Sequence, residues 1–265
     1  MFTRFQLAKK YLRYWLTASN GKGHGIHSPF VFDFIKHVKN DKKEYACYEK
    51  IEEQRKKLLA DETVIEVEDF GAGSSVIKTN KRVVKDIAAS SLKPKKFAQL
   101  LFRMVQHYQP QTIIELGTSL GITTSYLAAG NTHAKIYSCE GAKNIAAIAR
   151  QTFRNVQLEN IILTEGDFSG TFPSVLSEAN PVDLAFVDGN HRKGPTLDYF
   201  EQLLHNCSSS AILIFDDIHW SAGMEEAWAE IQRHPAVTLT IDLFFIGIVC
   251  INNDIKVKQH FTIRF

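Results

Sequence analysis

Asp188, Asp216, Asp217 and His191 each stand just past an apolar run, DLAFV or AILIF, where a ligand could meet them. Three carboxylates form an all-oxygen set of the kind that suits magnesium. Carboxylates so placed could equally cap helices or pair with Arg192 and Lys193. His191 lies three residues beyond Asp188, and an imidazole is a side chain that can take a proton from a hydroxyl group. His219, in DDIHW, is a weaker second candidate that could simply cap the following turn. Glu225, Glu226 and Glu230 read as a solvated helix face.

Two glycine turns compete for a ligand, VEDFGAGSS at 67–75 and IIELGTSLGITT at 113–124. A central parallel strand is covered on both faces and reads as continuously apolar, which TIIEL does and VIEVEDF does not. A nucleoside-binding turn also needs an acid ending the next strand about 20 residues on, to accept hydrogen bonds from ribose hydroxyls. Glu140 lies 19 residues past Gly121, whereas the same step from Gly73 reaches Lys93-Pro94-Lys95-Lys96. The second turn is therefore the ligand-binding one. Gly117 permits a sharp turn after the strand, and Gly121 permits close approach at the next helix. Gly71 and Gly73 read as a structural turn, although a loop folding over the active site would use the same residues.

GTSLG also has the form of a hydrolase nucleophile elbow, with Ser119, Asp188 and His219 in Ser, Asp, His order. Against this serine hydrolase, the first strand of the alternating pattern directly precedes the turn and no HGG-like loop comes before it. A noncatalytic cofactor-binding protein is the third alternative.

The elements that must position these residues follow from the pattern. From residue 93 a helix and the runs TIIEL, AKIYSC, NIILT, DLAFV and AILIF alternate with helical stretches. That alternation predicts a doubly wound α/β fold around a mostly parallel sheet. VTLTIDL and FFIGIVCI leave almost no room for a helix between them, so they predict an antiparallel edge hairpin and bring the sheet to seven strands. Residues 1–90 predict an N-terminal helical appendage with a linking loop, acting as a lid or a subunit contact, and 91–265 the main domain. Ser28 and Pro29 offer a cap and first-turn pair for PFVFDFIKHV. Gly21 to Gly25, around Lys22 and His24, lack the GxxxxGK[ST] pattern of a phosphate loop and read as a hinge. The first helix could lie on a membrane, but packing on the main domain or on a second copy of the chain is the expectation.

Composition narrows the classes. Residues 1–100 carry 20 Lys and Arg against 12 Asp and Glu, and the remainder 11 against 17. The lysines are spread over helical faces, so no nucleic-acid partner is expected. Cys47, Cys139, Cys207 and Cys250 are far apart without CxxC spacing, which excludes a zinc knuckle or redox pair. No signal segment is evident, and the longest apolar run, LFFIGIVCI, is too short for a membrane span. A cytoplasmic location is the expectation.

The succession ELGTSLG, CE, EGDF, DLAFVDGNH and ILIFDDIHW resembles class I S-adenosylmethionine-dependent methyltransferases of the small-molecule, catechol and caffeoyl O-methyltransferase type. The resemblance covers residues 93 to about 251. It implies a Rossmann-like fold, S-adenosylmethionine as cofactor and a small-molecule acceptor. By position it implies that Glu115, Gly117, Ser119 and Gly121 line the methionine and ribose side and that Glu140 binds the ribose hydroxyls. Asp167 would reach the adenine amino group with Phe168 beside the ring, and Asp188 would also border the cofactor. Asp188, Asp216 and Asp217 would hold a divalent cation such as Mg2+, although the family places Asn where Asp217 stands. His191 falls where the catechol-type enzymes carry a lysine base.

Overall fold

The computed structural model describes residues 1–19, 21–23, 27–67, 80–252, 255 and 257–265. The chain begins with α1 (Arg4–Thr17), α2 (Pro29–Asp33) running on into a π-helical stretch (Phe34–Lys39), and α3 (Ala46–Ala60). β1 (Val64–Glu66), β2 (Lys81–Val83), α4 (Val84–Ser91) and α5 (Lys95–Tyr108) follow. Strands and helices then alternate as β3 (Thr112–Leu116), α6 (Ile122–Gly130), β4 (Lys135–Glu140), α7 (Lys143–Val156), β5 (Ile161–Glu165) and α8 (Phe168–Ala179). The alternation continues through β6 (Val182–Val187), α9 (Lys193–Asn206), β7 (Cys207–Asp216) and α10 (Ala222–Arg233). The chain closes with β8 (Leu239–Asp242), β9 (Ile246–Cys250) and β10 (Gln259–Thr262). The fold is α/β with mostly parallel strands and an antiparallel edge, and it divides into two compact units, Met1–Asn40 with Asn180–Phe265, and Asp41–Ala179.

In the unit Asp41–Ala179, β4 lies between β3 and β5, parallel to both. α5 is amphipathic and buries Ala98, Leu101, Phe102 and Val105. Its end is set by Gln109 in a left-handed conformation just before Pro110, which cannot continue a helix. α3 packs Tyr48, Ile51 and Leu58 into the same core as Phe102 and Tyr126. Polar contacts fix its register, because Glu52 accepts from Tyr126 Oη at 2.8 Å and from Arg55 Nε at 3.0 Å. β1 and β2 form a separate two-stranded antiparallel pair, in keeping with the half-exposed reading of VIEVEDF. The turn at Gly71 and Gly73 lies outside the described residues, as do His24 and Gly25 of the expected hinge.

In the other unit the strand order is β10-β8-β9-β7-β6. β7 and β8 both pair antiparallel with β9, which is the expected hairpin. β10 adds a parallel strand outside β8, one more than the seven expected. Asp242 fixes the hairpin turn by accepting from Phe244 N at 2.7 Å, where Phe244 has φ +72°. α1 docks here with Tyr11 and Tyr14 against Phe244, and Tyr14 Oη donates to Ile263 O at 2.5 Å. Its own start is a capping box between Thr3 and Gln6. Pro29 begins α2 as expected, but the Ser28 side chain makes no cap bond. All four cysteines are free.

Gly247, the second residue of the buried strand β9, leaves no room for a methyl group. A Cβ there would meet Trp228 Cζ3 at 2.6 Å and Ile218 Cγ2 at 3.0 Å. Gly247→Ala should lower stability by about 1–3 kcal/mol through overpacking, seen as an earlier urea midpoint at unchanged slope. An unchanged midpoint would mean that the Trp228 ring moves aside freely.

Candidate functional site

The unit Asp41–Ala179 gathers the residues after β3, β4 and β5. The turn after β3 needs three left-handed residues, Gly117 at φ +102°, Ser119 at +49° and Gly121 at +83°. Gly117 and Thr118 donate their N–H groups to Cys139 O of the neighbouring strand, at 3.0 and 3.1 Å. Gly121 caps α6, and a Cβ on it would lie 2.6 Å from Phe153 Cε1. The close approach it permits is therefore packing of α7 against the turn.

Glu140, the last residue of β4, ties this turn to its own. Its Oε2 accepts from Ser119 N at 2.8 Å and its Oε1 from Ala142 N at 2.9 Å. Burial raises the pKa of this carboxyl, opposed by backbone donors at Ala142, Ser119 and Gly141. Gly166, at φ +127°, donates to Glu140 O at 2.9 Å and brings the turn after β5 alongside. Asp167 follows, exposed, with Ser169 Oγ donating to its carboxylate and Gly170 and Thr171 donating to its carbonyl. Phe168 opens α8.

Glu115 is fully buried in β3. Thr124 Oγ1 and Ser138 Oγ both donate to its Oε2, at 2.5 and 2.6 Å. With that proton committed, Ser138 Oγ must accept from Thr118 Oγ1, 2.5 Å away. The other oxygen, Oε1, is buried and has no hydrogen-bond partner among the described residues. Burial pushes this carboxyl up to about 7, against the two hydroxyl donors.

The unit Met1–Asn40 with Asn180–Phe265 holds the second group. Ligand atoms of Asp188, His191 and Asp216 all lie within 4.8 Å of one another, and His191 Nε2 is 3.6 Å from Asp188 Oδ1. Asn190 and His191 reach this arrangement through a left-handed turn after β6, at φ +71° and +36°. Asp216 ends β7, nearly inaccessible. Asp217 is not a member of the group. Its backbone is left-handed at φ +53°, with its N–H donating to Phe245 O at 2.7 Å. The gathered donors are thus two carboxylates and an imidazole, where the sequence suggested three carboxylates.

His219 is placed differently. Its Nδ1 lies 2.9 Å from Glu225 Oε1, its Nε2 lies 2.9 Å from Asp242 Oδ2, and its ring stacks on Phe244. Burial works against a charge on this ring, but the two carboxylates outweigh it and raise the pKa. With both nitrogens so engaged, His219 is a fastening of the fold and not a base for Ser119, whose Oγ is 2.8 Å from Ser91 Oγ. Glu225 also bonds Lys10 at 2.9 Å, so it does not belong to a solvated face. Glu226 and Glu230 pair with Lys193. Sequence reasoning missed this chain of charges because Lys10 and Glu225 are 215 residues apart.

Residues 114–218, from within β3 to just past β7, match the sequence pattern of the family described as methyltransferase domain. Solved structures of methyltransferases share the fold of this chain. An O-methyltransferase from Bacillus cereus, in complex with SAH, superimposes with a TM-score of 0.54 at 20% identity, over 63% of this chain and 88% of that one. The O-methyltransferase TomG from Streptomyces achromogenes, in complex with SAM, gives 0.57 at 16%, over 80% and 92%. The SAH-bound methyltransferase PaMTH1 from Podospora anserina gives 0.57 at 13%, over 94% and 96%. No curated protein sequence matches the chain.

The buried acid Glu115 makes a pH prediction. Glu115 shifts from 4.5 to about 7 on folding, so between those values the folded state holds the proton that the unfolded chain has released. Stability is therefore favoured on the acid side of this window and declines as pH rises through it. Glu115→Gln keeps an acceptor for Thr124 and Ser138 but cannot ionise. Without ligand, its urea midpoint should lack that decline and exceed the parent's above pH 7, by about 2 kcal/mol in stability. Parallel pH curves for the two proteins would show that Glu115 does not titrate in this range.

Proposed function

We propose that the chain is an S-adenosylmethionine-dependent methyltransferase that acts on a hydroxyl group of a small molecule. The observation that carries this is the Glu140 carboxylate, held between two turns at the end of a parallel strand, within the stretch that matches the methyltransferase family. SAH or SAM is the ligand named for each of the three fold relatives.

The residues present fit such a cofactor. The two Glu140 oxygens offer about four acceptor sites, so the backbone donors leave room for a ribose hydroxyl. The unpartnered Oε1 of Glu115 suits an ammonium group at the methionine end. Asp167 and Phe168 are the candidates for the adenine end, one as acceptor and one as ring contact. S-adenosylmethionine supplies a methyl group on a sulfonium, which is a good leaving group. What remains for the chain is to orient the acceptor, exclude water and remove a proton.

For proton removal the group to consider is His191. Asp188 lies near enough to orient its ring and to favour the protonated form once the acceptor hydroxyl has given up its proton. The closeness of Asp188, His191 and Asp216 supports a second reading, in which they hold a divalent cation that lowers the pKa of the acceptor hydroxyl. Two carboxylates with an imidazole suit manganese or another transition ion better than magnesium.

Calorimetry tests the cofactor half. S-adenosylhomocysteine should bind in the micromolar range, about −7 to −8 kcal/mol, and Glu140→Ala should weaken it about tenfold or more through lost ribose bonds and a loosened turn. Equal affinity for both proteins would remove Glu140 from the site. Activity on a panel of hydroxylated acceptors tests the other half. His191→Ala should lower kcat by about 10²–10⁴ while cofactor affinity stays the same. Loss of activity on chelation, restored by manganese, would assign the three side chains to a metal. Activity indifferent to both treatments would contradict both roles.

A further inference from the structure

We infer that the outward face of α1 is a docking surface for an anionic lipid bilayer. The inference does not depend on the proposed activity. Five of the ten large hydrophobic residues exposed on the described surface, Met1, Phe5, Leu12, Trp15 and Leu16, lie in α1 or its lead-in. They are therefore concentrated and not scattered singly.

Helical geometry sorts α1 into two apolar faces. At 3.6 residues per turn, Phe5, Leu12 and Leu16 fall within about 40° of one another, and Tyr14 and Leu7 fall roughly opposite them. The Tyr14 side is satisfied by Phe244 and the Ile263 carbonyl, and Phe2 N donates to Trp220 O at 3.0 Å. Phe5 and Leu16 remain 80% and 68% exposed, pointing away from the unit that α1 docks on. A helix needs only one apolar stripe to dock.

Charge identifies the occupant. α1 contains Arg4, Lys9, Lys10 and Arg13 and no acidic residue. Lys10 is taken by Glu225, whereas Arg4, Lys9 and Arg13 are exposed beside the stripe. The Arg264 guanidinium also lies over the Trp15 ring, 5.5 Å from its centroid. Phe, Leu and Trp flanked by Arg and Lys is the composition of a helix lying in a bilayer interface. A second copy of the chain fits less well, because pairing stripe to stripe would bring two sets of these cations together. Contact of this kind is peripheral, and among the described residues no helix is long and apolar enough to cross a membrane.

Sedimentation of the full chain with vesicles tests the inference. The protein should pellet with phosphatidylcholine vesicles that contain phosphatidylserine, not with phosphatidylcholine alone, and added salt should release it. Lys9→Gln and Arg13→Gln should each weaken the partition about fivefold, and Leu12→Ser with Leu16→Ser at least tenfold. Trp15 should shift its emission to the blue on binding, a change absent from Trp15→Phe. These side chains are exposed, so melting should not change. Should the serine pair melt early, the two charge variants still decide the question. No pelleting at low salt, or equal pelleting by all variants, would overturn the inference. So would a solution dimer that the serine pair converts to a monomer, since a second copy would then cover the stripe.

Discussion

Much of the candidate cofactor site depends on one carboxylate accepting backbone N–H groups at the carboxyl edge of a parallel sheet. Strand ends expose amides that the ladder no longer pairs, and Glu140 answers two of them, one in its own turn and one at Ser119. The turn after β3 can then hold three residues at positive φ, a conformation that costs free energy at a non-glycine such as Ser119. Burial makes the carboxyl costly to ionise, and its backbone donors oppose that cost. Glu140 is thus both a support for the turn and the group that would meet a ribose.

Each unit places acidic groups differently. In one, Glu115 is buried with hydroxyl donors on one oxygen only, an arrangement a cation would complete. In the other, carboxylates meet imidazoles. Asp188 and Asp216 approach His191, while Asp242 and Glu225 grip His219 from both sides. The same pair of residue types yields a candidate reactive group in the first case and a fastening in the second. What separates them is distance: both ring nitrogens of His219 lie 2.9 Å from a carboxylate oxygen, whereas His191 Nε2 stands 3.6 Å from Asp188.

The parallel strands and the hairpin were legible because buried strands must be apolar along their whole length, and TIIEL, DLAFV and AILIF are. The place of Glu140 at the end of β4 was legible from its spacing, which the strand, helix, strand unit fixes. β10 was not, since QHFT is short and alternates in burial at the edge of its sheet. Nor could the sequence tell Asp216 from Asp217. The backbone becomes left-handed at Asp217, directly after the strand ends at Asp216, and neither residue type announces it. The role of Glu225 was hidden for another reason. Its partners Lys10 and His219 come together only through docking of α1, so a helix face that reads as solvated carries a fastening.

The most direct measurement of the central claim is a crystal structure of the protein with S-adenosylhomocysteine. The account predicts both ribose hydroxyls on the Glu140 carboxylate, the amino acid end beside Glu115, and the adenine near Asp167 and Phe168. A ligand bound elsewhere, or one whose ribose leaves Glu140 untouched, would contradict it.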